Sequence, residues 1–569
     1  MKVYLPGGVA TMLGAWLLAV RPGSAAVETP TARPTGDPSA ALFDAGRLLE
    51  VRIQMATQDW NHLRLEHHEL LAALGPTRFE HPEPKPYTVY RATVTINGVD
   101  AGQVGLRKRA FLGSASLQRP ALSVRFDAFD KKGRFAGLRR LSLNNNLQDP
   151  SLVHQVLSYR LFARAGVPTP RCNLAWVTVN GKDLGIYSHV EAVEEDFLDR
   201  NFSNHSGNLY EGQVSDFRTN WVKTFERKNH KSSPDRGDLE SVVQALQSDD
   251  AHLLAQLDPL LDVEEYLTYW AMETLIGHWD SYSNGGNNFL IYRKPDTKKF
   301  VFIPWGADST LGDPDPFARV KTPESVKAGM ILPYRLYHLP GMRERYRQRL
   351  REVLKTTWNE SELLAEVTRL EAMVRSHNHV RSEHFQAGLA TVRAFIRSRR
   401  SELERELLAP APEWPIPPKA TACLEKVGEL RATFTATWPD EPSPSKPRGR
   451  MRLELNGTEH NYANVNVLVG PATDPRNAGC PAITLVAMDW LGAKAQVPVF
   501  VIQPEFFKPG VTNQLDGFGC AGFLLEGRLL QLDIKFASMV LGTLELREAG
   551  MTPGDKVSGK IAADIYQWP

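Results

Sequence analysis

Residues 278–312 read HWDSYSNGGNNFLIYRKPDTKKFVFIPWGADSTLG. This pattern predicts the end of a buried helix, a polar loop, two short strands and an acidic turn. The first strand, Phe289 to Tyr292, is apolar and aromatic, and the second, Phe300 to Ile303, lies between a Lys-Lys pair and a proline. We expect the two strands to pair as a hairpin.

Such a hairpin would bring three polar side chains to one end of the paired strands: Asp280, Asn288 and Asp308. Two carboxylates and an amide at a strand–loop junction are typical of a site for a nucleotide and a metal ion. One carboxylate orients a hydroxyl group there, while the other two groups hold the metal on the phosphates. The simpler alternative is a hairpin in which Asn and Asp only stabilise turns, and the spacing favours neither.

Several motifs in and before this stretch resemble, in the same order, those of the CotH (spore coat protein H) kinase family. They are LxLNNN with DPSL from Leu141, VNGKDLGIYSHVE from Val179, FLDRNF with GNLYE from Phe197, DSY with NNFLIY from Asp280, and FIPWxxDSTLG from Phe302. The likeness covers roughly residues 48–408. It implies an atypical protein-kinase-like fold that transfers phosphate from ATP to Ser or Thr of secreted or surface proteins.

The resemblance also implies roles for the three polar residues. Asp280 is expected to orient the acceptor hydroxyl, while Asn288 and Asp308 are expected to bind Mg²⁺ or Mn²⁺. The family usually reads PWDxD where residues 304–308 of this chain read PWGAD, so the first Asp is replaced by Gly306. If Asp308 suffices as the acidic ligand, we expect Gly306→Asp to leave activity unchanged or to raise it.

A small-residue loop between two strands, residues 111–120, is the expected binding loop for the ATP phosphates. Its Gly113, Ser114 and Ser116 would lay backbone amides on phosphate oxygens, although an ordinary hairpin loop has the same composition. The family usually has Lys-Pro after this turn, whereas this chain has Arg119-Pro120, which keeps the charge but differs in shape. The resemblance further places Glu191 at the start of the hinge that receives adenine.

The N-terminus predicts export. Lys2 precedes an apolar stretch, Val9 to Val20, and a small-residue cleavage site at Ser24-Ala25-Ala26, which indicates a signal peptide over residues 1–26. Residues 27–46 are predicted to be a linker. No later stretch is long and apolar enough to cross a membrane, and a retained N-terminal anchor is the alternative.

The charge and the cysteines add little about partners. A formal net charge of +2 gives no indication of nucleic acid or another polyanion as a partner. Export permits disulfides, so Cys480 with Cys520, or Cys423 with either, is the expected pair, and Cys172 is expected to stay unpaired. None of the cysteines has zinc-ligand spacing.

A chain of 569 residues has room for two or three domains. We predict an α+β organisation, with an atypical two-lobed protein-kinase-like domain over residues 47–408, a proline-rich linker over 409–420 and an all-β sandwich over 421–569. Residues 215–250 are polar and predict a solvated insert or a substrate-facing surface. The C-terminal region carries no catalytic motif, so we expect it to serve binding, docking or stability.

The favoured function is a secreted Ser/Thr protein kinase that acts on an extracytoplasmic or surface protein. The alternative is a catalytically degenerate surface protein on the same scaffold, an adhesin or binding scaffold, which Gly306 and Arg119 favour. A glycan-binding or glycan-cleaving protein that uses Asp280 and Asp308 is a weaker hypothesis, because the flanking Asn residues fit a metal–nucleotide site better.

Overall fold

A computed structural model of the chain describes residues 37–80, 86–318, 320–377, 382–440, 449–460, 466–472, 477, 479–488, 495–528 and 533–568. The predicted signal peptide and the first part of the predicted linker lie outside the described residues. The end of that linker is structured, since Ala40–Phe43 form a 3₁₀ helix in which Leu42 is buried. The linker prediction was therefore wrong over these last residues.

The N-terminal part of the chain is a closed barrel of seven strands: β1 (Leu49–Gln54), β2 (Tyr90–Ile96), β3 (Val99–Lys108), β4 (Leu122–Arg125), β5 (Arg140–Asn144), β6 (Cys172–Val179) and β7 (Lys182–Val190). Their order around the barrel is β1-β2-β3-β4-β5-β7-β6, and neighbours are antiparallel except for the parallel pair β1 with β6. Alternate apolar residues fill the interior, and Asn97-Gly98 and Asn180-Gly181 make the predicted hairpin turns with positive φ angles.

Most of the helices follow the barrel in the sequence. The described helices are α1 (Thr57–Leu65), α2 (Leu70–Leu74), α3 (His154–Arg164), α4 (Glu195–Phe202), α5 (Gly237–Gln247), α6 (Leu253–Leu257), α7 (Val263–Leu275), α8 (Tyr282–Gly285), α9 (Ile331–His338), α10 (Pro340–Thr357), α11 (Glu360–Val374) and α12 (Glu383–Leu408). All of them except α1, α2 and α4 share one large apolar core with the hairpin region. Asp262 begins α7 by accepting a hydrogen bond from the Glu265 amide. Mixed helix and sheet content confirms the α+β prediction.

The predicted hairpin is present. Strands β8 (Leu209–Gly212), β9 (Glu226–Arg227), β10 (Phe289–Arg293) and β11 (Phe300–Pro304) form a sheet in the order β11-β10-β8-β9. In β10 and β11 every residue except Arg293 is buried, which explains why both strands read as apolar runs. Residues 215–250 are not a solvated insert, because Phe217, Trp221 and Phe225 are buried and α5 packs into the same core.

The C-terminal region, here called the β-domain, is built of strands that hydrogen bonds join into one sheet. They are β12 (Glu425–Thr437), β13 (Gly449–Leu455), β14 (Thr458–His460), β15 (Asn466–Pro471), β16 (Pro481–Met488), β17 (Ala495–Ile502), β18 (Val511–Leu515), β19 (Cys520–Arg528), β20 (Asp533–Ala549) and β21 (Lys556–Gln567).

The strands of the β-domain follow the order β14-β13-β12-β21-β20-β18-β19-β17-β16-β15. Neighbours are antiparallel apart from a short parallel contact between β18 and β19. Strand β15 also packs against β12 and β13, so the sheet curls onto itself. The all-β prediction agrees with this, but two separate sheets of a sandwich are not confirmed.

The predicted disulfide is absent, since all four cysteines are unbonded. Cys480 directly precedes β16 and Cys520 begins β19, and these two strands flank β17 on opposite sides. Two strand spacings of about 4.8 Å separate them, which exceeds the reach of a disulfide. Cys423 instead donates to the Gly75 carbonyl.

The proline-rich residues 409–420, here called the interdomain segment, are packed rather than free. Trp414 is buried in the helical core, and the Tyr337 hydroxyl donates to the Pro412 carbonyl at 2.7 Å. Just beyond the segment, the Leu424 amide donates to the Leu74 carbonyl at 2.8 Å. The β-domain is therefore attached to the rest of the molecule along its first residues.

Arg78 reinforces this attachment. Its side chain is 6% exposed, and Nη1 donates to the Ala422 carbonyl at 2.8 Å while Nη2 donates to the Gln213 carbonyl. One guanidinium thus joins three separate segments. An apolar cluster that includes Leu74, Trp221 and Leu424 surrounds it.

We expect Arg78→Ala to lower the free energy of unfolding by about 2–3 kcal/mol, because buried carbonyls lose their donor. The interdomain segment should also become more sensitive to limited proteolysis. Thermal denaturation and a digestion time course measure the two effects. Arg547→Ala, at an exposed position on β20, is the control and should change neither. Rapid cleavage of the wild-type protein within residues 409–420 would contradict the packing.

Candidate active site

The polar loop, residues 279–288, is held in place by contacts on both of its sides. The Tyr282 ring packs against Phe289 and Phe302, with ring centroids 4.6 and 5.0 Å away. Glu273, buried on α7, accepts the amide N–H groups of Tyr282 and Ser283 at 3.1 Å each. Burial raises the pKa of Glu273 to about 7. Sequence reasoning missed Glu273, whose position on the helix resembles that of any core residue.

Asp280 lies in this loop and accepts hydrogen bonds from two side-chain amides. Asn287 Nδ2 donates to both carboxylate oxygens at 3.1 and 3.2 Å, and Asn288 Nδ2 donates to Oδ2 at 2.8 Å and to the backbone carbonyl at 2.9 Å. Burial outweighs these hydrogen bonds and raises the pKa of Asp280 to about 7, and the charge of Asp308 adds to the shift. A carboxylate with a pKa near neutrality suits general-base chemistry.

Asp308 follows β11 and is 6% exposed. Its Oδ2 accepts a hydrogen bond from Asn144 Nδ2 at 3.1 Å, and its backbone carbonyl accepts one from His154 Nδ1 at 2.6 Å. Burial raises the pKa of Asp308 to about 6, against the hydrogen bond from Asn144. Asn144 was not predicted as a site residue, although it lies in the LxLNNN motif.

The Asn288 side chain is held by its backbone conformation and by its hydrogen bonds to Asp280. Its φ angle is +54°, and its Oδ1 has no hydrogen-bond donor among the described residues. Oxygen ligands of this kind suit Mg²⁺ or Mn²⁺. Within the part of the chain that the structure describes, no three His, Cys, Asp or Glu side chains form a metal cluster, so the candidate ligands are the Asn288 amide and the Asp308 carboxylate.

Gly306 faces the same amide oxygen. Its φ angle is +48°, and a Cβ atom there would lie 2.2 Å from Asn288 Oδ1. An Asp at position 306 could fit only if Asn288 moved away from Asp280. The expectation that Gly306→Asp leaves activity unchanged or raises it is therefore not supported by the structure.

The predicted phosphate loop borders the cavity, but its side chains mostly stabilise the loop. Ser114 Oγ donates to the Phe111 carbonyl, and Ser116 Oγ accepts the Arg119 amide at 3.0 Å. At Gly113 a Cβ atom would lie 2.3 Å from the terminal amide of Gln148, so a larger residue there would require the Gln148 side chain to move. Gly113, Ser114 and Arg119 line the cavity.

Arg119 is turned towards the barrel. Its Nη2 donates to the carbonyls of Asn145 and Ile186 at 2.9 and 3.0 Å, and its Nε is buried without a partner among the described residues. The guanidinium thus holds the loop to β7, and a phosphate-binding role for it remains a prediction.

The structure does not bring Glu191 into the cavity. Its side chain is 3% exposed and accepts hydrogen bonds from Arg171 and Arg200. Burial opposes ionisation, but the two guanidiniums hold the pKa of Glu191 below its usual value. The cavity is lined instead by the residues that follow, Ala192 to Glu194, so the side chain of Glu191 serves as a structural ion-pair partner.

The cavity has a volume of about 1740 Å³, enough for a nucleotide together with part of a larger substrate. Its barrel side carries Arg107, Arg109 and Arg140, here called the roof arginines. Arg109 lies 5.1 Å from the Trp305 ring centroid. Burial and the charges of the other two roof arginines lower the pKa of Arg107, which indicates a positive potential suited to an anion. Sequence reasoning did not identify these arginines.

Comparison with known proteins places these observations in a family. A family model described as CotH kinase protein matches residues 107–403, just over half of the chain. Inner spore coat protein H of Bacillus subtilis is 26% identical over 201 residues, which cover 32% of this chain and 53% of that protein. The invasin CotH2 of Rhizopus delemar is 22% identical over 183 residues, 29% of this chain and 31% of that protein.

The chain thus spans about half the length of inner spore coat protein H. Among solved structures, the Helicobacter pylori proinflammatory kinase CtkA covers 51% of this chain and 94% of its own, at 9% identity and a TM-score of 0.27. A similarity this low supports no conclusion about the fold.

We expect Asp308→Asn to stabilise the metal-free protein at pH 8. Because the folded-state pKa of Asp308 is raised from 3.8 to about 6, the wild-type protein loses stability as pH rises through this range, and Asn cannot ionise. The melting temperature of Asp308→Asn should exceed that of wild type by a few degrees at pH 8 and by less at pH 5. Differential scanning calorimetry with a chelator measures this.

Asp258→Asn, at an exposed site, is the control. An equal gain in melting temperature at both pH values would contradict the burial effect.

Proposed function

The chain belongs to the CotH kinase protein family, and from this premise we propose that it transfers the γ-phosphate of ATP to a Ser or Thr hydroxyl of a protein. The observation that carries the proposal is the arrangement around Asn288, which bonds to Asp280 through its Nδ2 and presents its free Oδ1 on the side of Gly306. One residue thereby links the carboxylate that would accept a proton to the ligand set that would hold a metal.

In the proposed reaction the acceptor hydroxyl oxygen forms a bond to the γ-phosphorus. The bond between that phosphorus and the β–γ bridging oxygen breaks, and ADP leaves with the electron pair. Asp280 orients the hydroxyl and receives its proton, for which a pKa of about 7 is suitable. Asn287 and Asn288 fix the carboxylate, so little reorganisation is needed when the acceptor binds.

The donor set fits a divalent cation. Asn288 Oδ1 and the Asp308 carboxylate are hard oxygen ligands, and a bound cation would relieve the unfavourable burial of Asp308. When bound, Mg²⁺ or Mn²⁺ neutralises charge on the phosphate oxygens. Asn144 would orient the Asp308 carboxylate through its hydrogen bond to Oδ2.

The nucleotide is proposed to lie between the phosphate loop and the polar loop. Gly113 and Ser114 border this space, although the Ser114 amide already donates to the Phe111 carbonyl at 2.9 Å. The roof arginines supply positive charge on the barrel side, where Arg140 is also paired with Glu194 at 2.6 Å. Apolar contacts for a base are available from Val193 and Leu290, which also line the cavity. The volume left over would accept the hydroxyl-bearing residue of the protein substrate.

The substrate is proposed to be a secreted or surface protein. The names of the two relatives refer to a spore coat and to an invasin, and the N-terminal sequence has the features of a signal peptide. Within the described ranges, no helix has the length and apolar character needed to span a membrane. Intact-mass measurement of the mature protein, expected to begin near Val27, tests export.

A binding scaffold is the second candidate function, because one observation favours it. Gly306 stands where the family usually has Asp, and its close approach to Asn288 shows that the backbone is adapted to glycine. If Asp308 cannot hold the metal without a second carboxylate, the same cavity would bind a partner without transferring phosphate.

The two candidates are separated by Asp280→Ala and Asp308→Ala. We expect Asp280→Ala to reduce radiolabelled transfer by at least about 100-fold while keeping the thermal shift caused by ATP and Mg²⁺ or Mn²⁺. Asp308→Ala should lose both transfer and thermal shift, because the metal links the protein to the phosphates.

Asp258→Ala removes an exposed carboxylate and serves as the matched control, with activity equal to that of wild type. A wild-type protein that shows neither a nucleotide-dependent thermal shift nor phosphate transfer would contradict the kinase proposal. The binding scaffold would then be the remaining candidate function. Transfer that persists in Asp280→Ala would contradict the role of Asp280.

A further inference from the structure

The interdomain segment enters the cavity. Residues 414–420 line its wall, together with Phe536 and Trp568 of the β-domain. Within the segment, the Lys419 amide donates to the Gly329 carbonyl at 3.3 Å. The Lys419 backbone is therefore attached to the helical part of the molecule, and its side chain extends along the cavity wall.

The Lys419 ammonium is in contact with the polar loop. Its Nζ donates to the Gly285 carbonyl at 3.4 Å, and Gly285 lies between Asp280 and Asn288 in the sequence. Nζ also lies 5.7 Å from the Trp568 ring centroid. This places one positive charge of the interdomain segment beside the loop that carries the proposed base.

The surrounding charges are acidic. Asp280, Asp315 and Asp216 act on the Lys419 ammonium, but burial outweighs them and lowers its pKa. No carboxylate among the described residues forms an ion pair with Nζ. The Lys419 side chain is half-buried, and its ammonium, which has three N–H donors, makes one long hydrogen bond and so keeps donors available for an anionic ligand.

Of the other lysines that line the described cavity, two have side-chain partners elsewhere and one is exposed. Lys228 forms ion pairs with Glu211 and Glu226, and Lys327 Nζ donates to Thr322 Oγ1. Lys223 is exposed on a 3₁₀ helix. Of these lysines, Lys419 alone has a hydrogen bond to the polar loop.

Phosphoryl transfer needs positive charge around the equatorial oxygens of the group in transfer. Arg119 directs its Nη2 to barrel carbonyls. The roof arginines belong to the barrel wall, on β3, the residue after it, and β5. On the wall formed by the polar loop, Lys419 is placed to add a side-chain positive charge to that of the metal proposed at Asn288 and Asp308.

We propose that Lys419 is a residue of the active site whose ammonium binds the phosphoryl group in transfer beside Asp280, so that the interdomain segment completes the site. This inference rests on the proposed phosphotransferase function. Lys419 forms and breaks no covalent bond; it neutralises charge on phosphate oxygens. The β-domain then has a second role, because its attachment at residues 422–424 fixes the segment that carries Lys419.

The test compares Lys419→Met, Lys419→Arg and the control Lys426→Met in the full chain. Lys426 is nearby in sequence but exposed on β12. For Lys419→Met we expect kcat to fall about 100-fold, while the affinity for ADP with Mg²⁺ stays within about twofold of wild type. Lys419→Arg should recover part of kcat, and Lys426→Met should match wild type.

Calorimetric titration with ADP and with a non-hydrolysable ATP analogue adds a readout that a purely structural role would not change. The ratio of the two affinities should shift towards ADP in Lys419→Met by about tenfold, because the analogue loses a charge-assisted hydrogen bond to its γ-phosphate. If the melting temperature drops sharply in Lys419→Met, the same ratio is measured in Lys419→Arg, in which a smaller shift in the same direction is expected.

An unchanged kcat in Lys419→Met would overturn this inference and leave the proposed function intact. Equal losses of affinity for ADP and for the ATP analogue would also overturn it, because they indicate a structural role. Failure of wild type to bind either nucleotide would overturn both this inference and the proposed function.

Discussion

Two carboxylates, Asp280 and Asp308, occupy one cavity in which burial makes the ionised form of each unfavourable. The arrangement persists because amides bond to both: Asn287 and Asn288 to the first, and Asn144 to the second. Without a ligand, such a pair of buried carboxylates lowers the stability of the fold. With a ligand bound, the same pair can take part in the proposed reaction. Much of the surrounding structure serves to hold these few side chains.

The apolar core supplies the rigidity that this arrangement needs. Helix α7 packs its aromatic side chains against Phe302 of β11, and Tyr282 of the polar loop joins the same cluster. Glu273 on α7 then fixes the loop backbone. The loop backbone is therefore positioned by a helix and two strands that are almost wholly buried, and hydrogen bonds from Asn287 and Asn288 then fix Asp280 within the loop.

The three large parts of the molecule meet at the cavity. The barrel contributes Asn144 and the roof arginines, the helical part contributes the polar loop, and the β-domain contributes Trp568 just after its last strand. Arg78 and the Leu424–Leu74 hydrogen bond keep the β-domain in this place. The C-terminal region is thus part of the cavity wall and not only an appended module.

Local patterns in the sequence determined the hairpin of β10 and β11, the start of α7, the barrel turns and the strand-rich C-terminus, because periodicity and turn chemistry act over a few residues. They also identified Asp280, Asn288 and Asp308, whose motif keeps them close to one hairpin. The tertiary structure alone decided that Glu191 pairs with arginines, that Arg119 faces the barrel and that the interdomain segment is packed. It also brought in Glu273, Asn144 and Lys419. Their partners lie far away in sequence or depend on burial, and the distances and desolvation that govern such contacts exist only in the folded chain.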